Sequence, residues 1–258
     1  MNVTILGDSF VANDFLYQNL DKTEPRNRGW SRLLAHDSNI KVTNLGWSGS
    51  GPYYAIKCLE KMTDQNDTLI LCISRPDRFR TILSLNNPTL DGGFKNIFLD
   101  RDVNMSEKEQ NIFKSKDLTE WKNAWVGMCN HNDFELLYDG IINTVACLTK
   151  KWNRVLLMMA FDLEYLYNSM HNKKIKIPQN WTILPINLHC LSFACPKDFL
   201  KNIRPNHFDE HTNRKMSSLI KNWIVNNVID IPQNWKSLTA SINNVESNII
   251  LCDPYNHN

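Results

Sequence analysis

Val3-Thr4-Ile5-Leu6-Gly7-Asp8-Ser9-Phe10 is an apolar run that stops on Gly-Asp-Ser. Residues 2–6 read as a short buried strand, so the serine stands where that strand ends. In open α/β folds the loops outside the carboxyl ends of the strands carry the chemistry. A serine hydroxyl placed there is a weak nucleophile until a base takes its proton and donors hold the oxyanion. The rest of the chain has to supply those partners.

Outward from this strand, strand and helix signals alternate. Residues 29–36 place Trp30, Leu33 and Leu34 at helical spacing, and residues 40–45 form a second strand. Pro52 opens a helix over 53–62, in the first-turn position proline favours. Residues 68–73 are apolar throughout, as expected of a central parallel strand, and residues 77–85 follow as a helix. Between 86 and 132 the pattern changes. Asn86-Asn87-Pro88 and Asp91-Gly92-Gly93 mark turns, and Ser106 with Glu109 forms a capping box. This stretch reads as a helical insertion. Trp121 and Trp125, four apart, share a helix face that either packs the insertion onto the body or forms an aromatic wall for a substrate. A helix over 134–152, strands over 155–160 and 181–186 and a helix over 209–226 complete the alternation. Met216, Leu219, Ile220 and Trp223 form the buried stripe of that last helix. Residues 228–258 are a C-terminal extension, with 248–252 as an edge strand or packed segment. Ile-Pro-Gln-Asn-Trp occurs at both 177–181 and 231–235; the flanks differ, so this reads as two similar loop entries or chance rather than a duplicated domain.

The alternation predicts one domain over 1–258, built on a doubly wound, mostly parallel five-stranded sheet. The 258 residues and 42% hydrophobic content suffice for one full core and argue against disorder. The net charge of +2 gives no reason to expect nucleic acid or an anionic membrane as partner. No run approaches the length of a membrane-spanning helix, and the amino terminus reads as a strand rather than a leader, so a cytoplasmic protein is expected. Asparagine is abundant, as in proteins of AT-rich genomes, many viruses among them; for a viral chain the host cytoplasm or the virion would be the setting. The seven cysteines contain no Cys-x-x-Cys pair, and Cys72, Cys147 and Cys252 sit in apolar runs. Reduced, buried thiols and no metal site are therefore expected.

Two further segments carry chemistry. Asn44-Leu45-Gly46-Trp47-Ser48-Gly49-Ser50-Gly51 is a glycine-rich loop between a strand and a helix, where backbone N–H groups can approach a ligand. Its spacing matches neither a dinucleotide fingerprint nor a P-loop. Asn206-His207-Phe208-Asp209-Glu210 precedes the last helix, from where a histidine can reach across the strand ends as general base.

Together, Gly7-Asp8-Ser9-Phe10, Asn44-x-Gly46-x-x-Gly49 and His207-Phe208 followed by Asn213, Met216 and Ser217 resemble the blocks of the SGNH, or GDSL, hydrolases, in the family's order. The resemblance spans nearly the whole chain apart from the insertion and the tail. It implies a three-layer α/β/α sandwich of flavodoxin-like type and an ester hydrolase with Ser9 as nucleophile and His207 as base. It also implies an oxyanion hole containing the Ser9 and Gly49 N–H groups, and no cofactor. Two departures stand out. Arg204 occupies the place of the aspartate three residues before the histidine, which leaves a Ser–His dyad or an orienting carboxylate from another loop, Asp162 or Asp198. Asp209 is aimed at the helix as its N-cap. Ser74-Arg75-Pro76-Asp77-Arg78 replaces the family's third block. Ser74 could there donate to the oxyanion, and Arg75 or Arg78 could hold negative charge. Asp8 supports the Ser9 turn through local backbone N–H groups, and Asn206 is a further supporting residue.

The substrate class expected is a small-molecule or glycan carboxylic ester, O-acetyl groups included, with Trp47, Tyr53 and Tyr54 near the site. The competing reading is an SGNH-like binding or structural module, for example in a virus particle, which Arg204 and the altered third block favour. A nucleotide-binding flavodoxin-like protein is the third, resting on the Gly46–Gly51 loop alone.

Overall fold

The computed structural model describes residues 1–12, 29–36, 39–47, 50–62, 67–74, 131–193 and 208–238, with the backbone of 79–80 and 96–97. Strands β1 (Asn2–Leu6), β2 (Lys41–Asn44), β3 (Thr68–Ile73), β6 (Arg154–Met159) and β7 (Trp181–Asn187) form one sheet in the order β2-β1-β3-β6-β7. Every pairing in it is parallel. Parallel neighbours need crossovers, and helices α1 (Trp30–Ala35), α2 (Pro52–Lys61), α3 (His131–Leu148), α4 (Leu163–His171), α5 (Leu188–Phe193) and α6 (Glu210–Asn226) occur among the connections. The winding is the flavodoxin-like one, and its strand order reverses between β1 and β3.

The two faces of the sheet are covered separately. Val3, Ile5, Ile70, Cys72, Leu156 and Met158 pack with residues of α1, α5 and α6. Leu6, Leu69, Leu71, Ile73, Leu157 and Met159 pack with α2, α3 and α4. Alternation along each strand sends successive side chains to opposite layers, and all six residues of β3 are buried because both layers cover it.

The expected helix over 77–85 is corrected. Phe79–Arg80 form a short strand, β4, paired antiparallel with β5, Asn96–Ile97. The intervening sequence holds Asn-Asn-Pro and Asp-Gly-Gly, turn formers that suit a reversal of the chain. The helix placed at 134–152 runs from His131 to Leu148. Cys147, expected inside, is exposed, while Cys72 and Cys190 are buried. The capping box at 106–109, Trp121, Trp125 and the 248–252 segment lie outside the described residues.

The repeated pentapeptide makes the same turn twice. Trp181 N–H donates to Pro178 O at 3.1 Å, and Trp235 N–H donates to Pro232 O at 2.8 Å. Both tryptophans are buried. The first turn leads into β7 and the second forms a 3-10 turn over Gln233–Leu238, so the local motif is shared and its continuation is not.

Asn213 joins the two helices that cover the Ser9 side. Gly29, at the N-cap of α1, offers no side-chain acceptor. The Asn213 carbonyl oxygen, reached from α6, accepts the Trp30 N–H at 2.8 Å. The Asn213 amide donates to Phe208 O and to Asp209 O, each at 3.1 Å. One fully buried side chain thus satisfies an otherwise orphaned helix N–H and fixes the backbone that leads into α6. Asn213→Leu is expected to cost about 2–3 kcal/mol, because it leaves the Trp30 N–H buried and unpaired. Urea denaturation checks this, and an unchanged midpoint would contradict the role.

Candidate active site

The carboxyl end of β1 turns sharply at Gly7, whose φ is +146°. A Cβ there would stand 2.6 Å from Cys72 Cβ and 2.7 Å from Cys72 O. Only glycine allows β1 to pass this close to β3 and break away. Asp8 then builds the turn. Its carbonyl accepts Val11 N–H at 3.1 Å and Ala12 N–H at 2.9 Å, and its Oδ1 accepts Phe10 N–H at 3.0 Å. The Cys72 thiol approaches the same Oδ1 at 3.7 Å. Asp8 is therefore a buried structural carboxylate, and Ser9 is lifted to a partly exposed position at the head of the turn.

The glycine-rich loop is strapped to this turn from the other side. Trp47 N–H donates to Gly7 O at 2.8 Å, and the Ser50 hydroxyl donates to the same carbonyl at 3.0 Å. Asn44 Oδ1 accepts Gly46 N–H at 2.8 Å, while its Nδ2 donates to Val11 O at 2.7 Å. A Cβ on Gly46 would meet Val11 Cγ2 at 2.8 Å, so this glycine serves close approach of the two loops. The Tyr54 hydroxyl closes the base of the loop by donating to Leu45 O at 2.9 Å. Burial, followed by the neighbouring Cys58, pushes its ionisation well above the ordinary tyrosine range, so it remains a donor.

A row of rings lies beside the turn. Phe10, next to Ser9, packs against Phe208 with centroids 5.7 Å apart, and edge-on against Phe161 at 5.9 Å. Phe161 in turn packs against His189 at 4.6 Å. Trp30 Nε1–H donates to Phe10 O at 2.8 Å and locks the first ring's backbone.

His189 is an imidazole on this rim that sequence reading missed. Between the Leu157–Ile183 and Met159–Asn187 pairs β7 carries an irregularity spanning Pro185. Such bulges re-aim the chain beyond them. His189 N–H then donates to Ala160 O at 2.9 Å. Proline inside an edge strand, with a histidine shortly after the strand end, was the available signal.

Of the expected site residues, Asp8, Ser9, Ser74 and Asp162 are described. Gly49, Arg75, Arg78, Asn206 and His207 lie outside the described residues, as do Asp198 and Arg204. Ser74 follows β3 and is buried, at 3% exposure. Asp162 follows β6 in a left-handed conformation, φ 52°, and is the N-cap of α4 without a side-chain capping bond. Its carboxylate is felt on the α3 side: burial first, then Asp162, holds the Tyr138 hydroxyl well above its usual range. Phe208 belongs to the opposite layer. Asp209 is the N-cap of α6, its carboxylate accepting Thr212 N–H at 2.6 Å. Among the described residues no group of three His, Cys, Asp or Glu side chains could hold a metal ion, and no helix is long and apolar enough to cross a membrane.

No protein-family model matches this chain, and no curated protein matches it. Among solved structures it is similar to the psychrotrophic esterase EstA from Pseudoalteromonas sp., with TM-score 0.40 and 14% identity, over 87% of this chain and 99% of that one. A GDSL-like lipase candidate from Parabacteroides merdae gives TM-score 0.38 and 12% identity, over 84% and 92%. LAE5, an alpha/beta hydrolase enzyme from the metagenome of Lake Arreo, gives 0.39 and 13%, over 87% and 96%. Likeness at this level does not reach the chemistry of the site.

Proposed function

We propose that the chain is a serine esterase in which Ser9 is the nucleophile and His207 its base. The observation that carries this is the Phe10–Phe208 contact. The residue following Ser9 packs on the residue following His207, with ring centroids 5.7 Å apart, at the carboxyl rim of the sheet. Asn213 holds the Phe208 carbonyl and the start of α1 together around this contact.

In this reading the Ser9 hydroxyl attacks the ester carbonyl carbon and His207 takes its proton. The carbonyl π electrons move to oxygen, which accepts hydrogen bonds from the N–H groups of Ser9 and Gly49. Gly49 suits this role because the residues on either side of its dipeptide, Trp47 and Ser50, are both bonded to Gly7 O. Collapse expels the alcohol with the proton from His207, and water then cleaves the acyl-enzyme by the same route in reverse. With Arg204 in the aspartate's place, His207 works as half of a dyad. Arg75 and Arg78 would favour substrates with negative charge near the ester. The substrate class proposed is a small or glycan-borne carboxylic ester, O-acetyl groups included, and the chemistry needs no cofactor.

His207→Gln tests the assignment with 4-nitrophenyl acetate as substrate. Removal of the base is expected to lower kcat by about 10³-fold or more while the fold persists. A variant as active as wild type would remove His207 from the mechanism.

A further inference from the structure

We infer that Phe161 and His189 are specificity-determining residues, an aromatic wall that receives a ring-bearing substituent of the ester. This rests on the esterase reading above and names the substrate class it selects. Phe161 follows β6 and His189 follows β7, so both stand at the carboxyl rim of the sheet, where open α/β folds bind their ligands. The two rings pack with centroids 4.6 Å apart and planes inclined at 47°. Phe161 also meets Phe10, the residue after Ser9, edge-on at 5.9 Å. One ring thus joins the wall to the nucleophile's turn. Phe10 is buried, whereas Phe161 and His189 are only half-buried. The wall lies across β3 from the glycine-rich loop, which follows β2. An ester carbonyl oxygen directed at that loop leaves a substituent directed to the opposite, β6–β7 side.

The backbone is built to hold the pair there. Ala160 N–H donates to Ile73 O at 2.9 Å, and Ala160 O accepts His189 N–H at 2.9 Å, so the base of the wall is tied on both sides. Asn187 Oδ1 accepts Cys190 N–H at 3.1 Å, and the Ser192 hydroxyl donates to His189 O at 2.7 Å, which fixes the first turn of α5. Two departures from regular backbone flank the rings. One is the β7 irregularity before His189; the other is Asp162, at φ 52°, directly after Phe161. Bulges and left-handed non-glycine residues both cost stability, and both collect at ligand-binding sites. A phenyl ring beside an imidazole rewards a planar apolar group by edge or offset packing. A methyl or ethyl group covers little of either ring, so the wall selects an aryl substituent.

The test uses the full chain with ethyl acetate, benzyl acetate and methyl phenylacetate, comparing wild type, Phe161→Leu, His189→Leu and Ser9→Ala. Leucine keeps apolar bulk without a ring. The readout is kcat/KM on a ring-bearing ester relative to ethyl acetate. That ratio is expected to fall about 10-fold in each Leu variant. A fall for benzyl acetate puts the ring on the alcohol side, and a fall for methyl phenylacetate puts it on the acyl side. A wild-type ratio for both ring-bearing esters in either variant overturns the inference. This holds whether neither rate changes or all fall together, as a packing role or His189 chemistry at the reacting atoms would make them. Hydrolysis that persists in Ser9→Ala, or a wild type inert toward all three esters, overturns the esterase reading instead, and this inference with it.

Discussion

Ser9→Ala is expected to abolish the turnover of 4-nitrophenyl acetate, with a loss on the order of 10⁴- to 10⁶-fold in kcat. Nothing else in the turn can take over the nucleophile's place. Asp8 is committed to the Phe10 N–H and the Cys72 thiol, and its own carbonyl holds Val11 and Ala12. Ser9 stands partly exposed at the head of the turn, outside the strand and helix cores, so the alanine variant should stay folded. Steady-state kinetics on the two proteins, with circular dichroism as the control for folding, measures the effect. Retained activity in a folded variant would exclude a serine mechanism at this position.

Gly7→Ala is expected to be the most damaging small substitution for the fold. It places a methyl group 2.6 Å from Cys72 Cβ and 2.7 Å from the Cys72 carbonyl, and asks an L-residue to adopt φ +146°. Neither neighbour can step aside, because Cys72 lies in the central strand with every residue buried. Backbone strain and overpacking together should cost about 3 kcal/mol or more. That is a large fraction of the stability of a domain of this kind. The loop contacts at Gly7 O, from Trp47 and Ser50, would be lost with it. Chemical denaturation reads the loss, and a variant within about 1 kcal/mol of wild type would show that the strands can separate at this point.

Much of the fold was legible because periodicity reports burial. The 68–73 stretch, apolar after Thr68, became β3 with unchanged ends, and the stripe of Met216, Leu219, Ile220 and Trp223 is buried as its spacing required. The first turn was legible too, since Gly7, Asp8 and Asn44 have local roles that a short motif encodes. Long-range partnerships were not. No local pattern announces that Asn213 caps α1 across 183 residues, or that Phe10 meets Phe208. The 79–80 strand was hidden because a two-residue pairing leaves no periodic trace and depends on Asn96–Ile97 further along the chain. His189 escaped notice for a related reason: the β7 irregularity that re-aims it exists only relative to β6.

The central claim is that the Ser9 hydroxyl is an activated nucleophile. A fluorophosphonate probe tests it directly, because attack by the activated oxygen on phosphorus expels fluoride and leaves a stable ester. Incubation of the native chain, digestion and mass spectrometry then locate the adduct. One adduct on the peptide carrying Gly7-Asp8-Ser9 is predicted, with none in the Ser9→Ala variant or in chain unfolded before labelling. An adduct at another residue, or a folded chain that stays unmodified, would contradict the account.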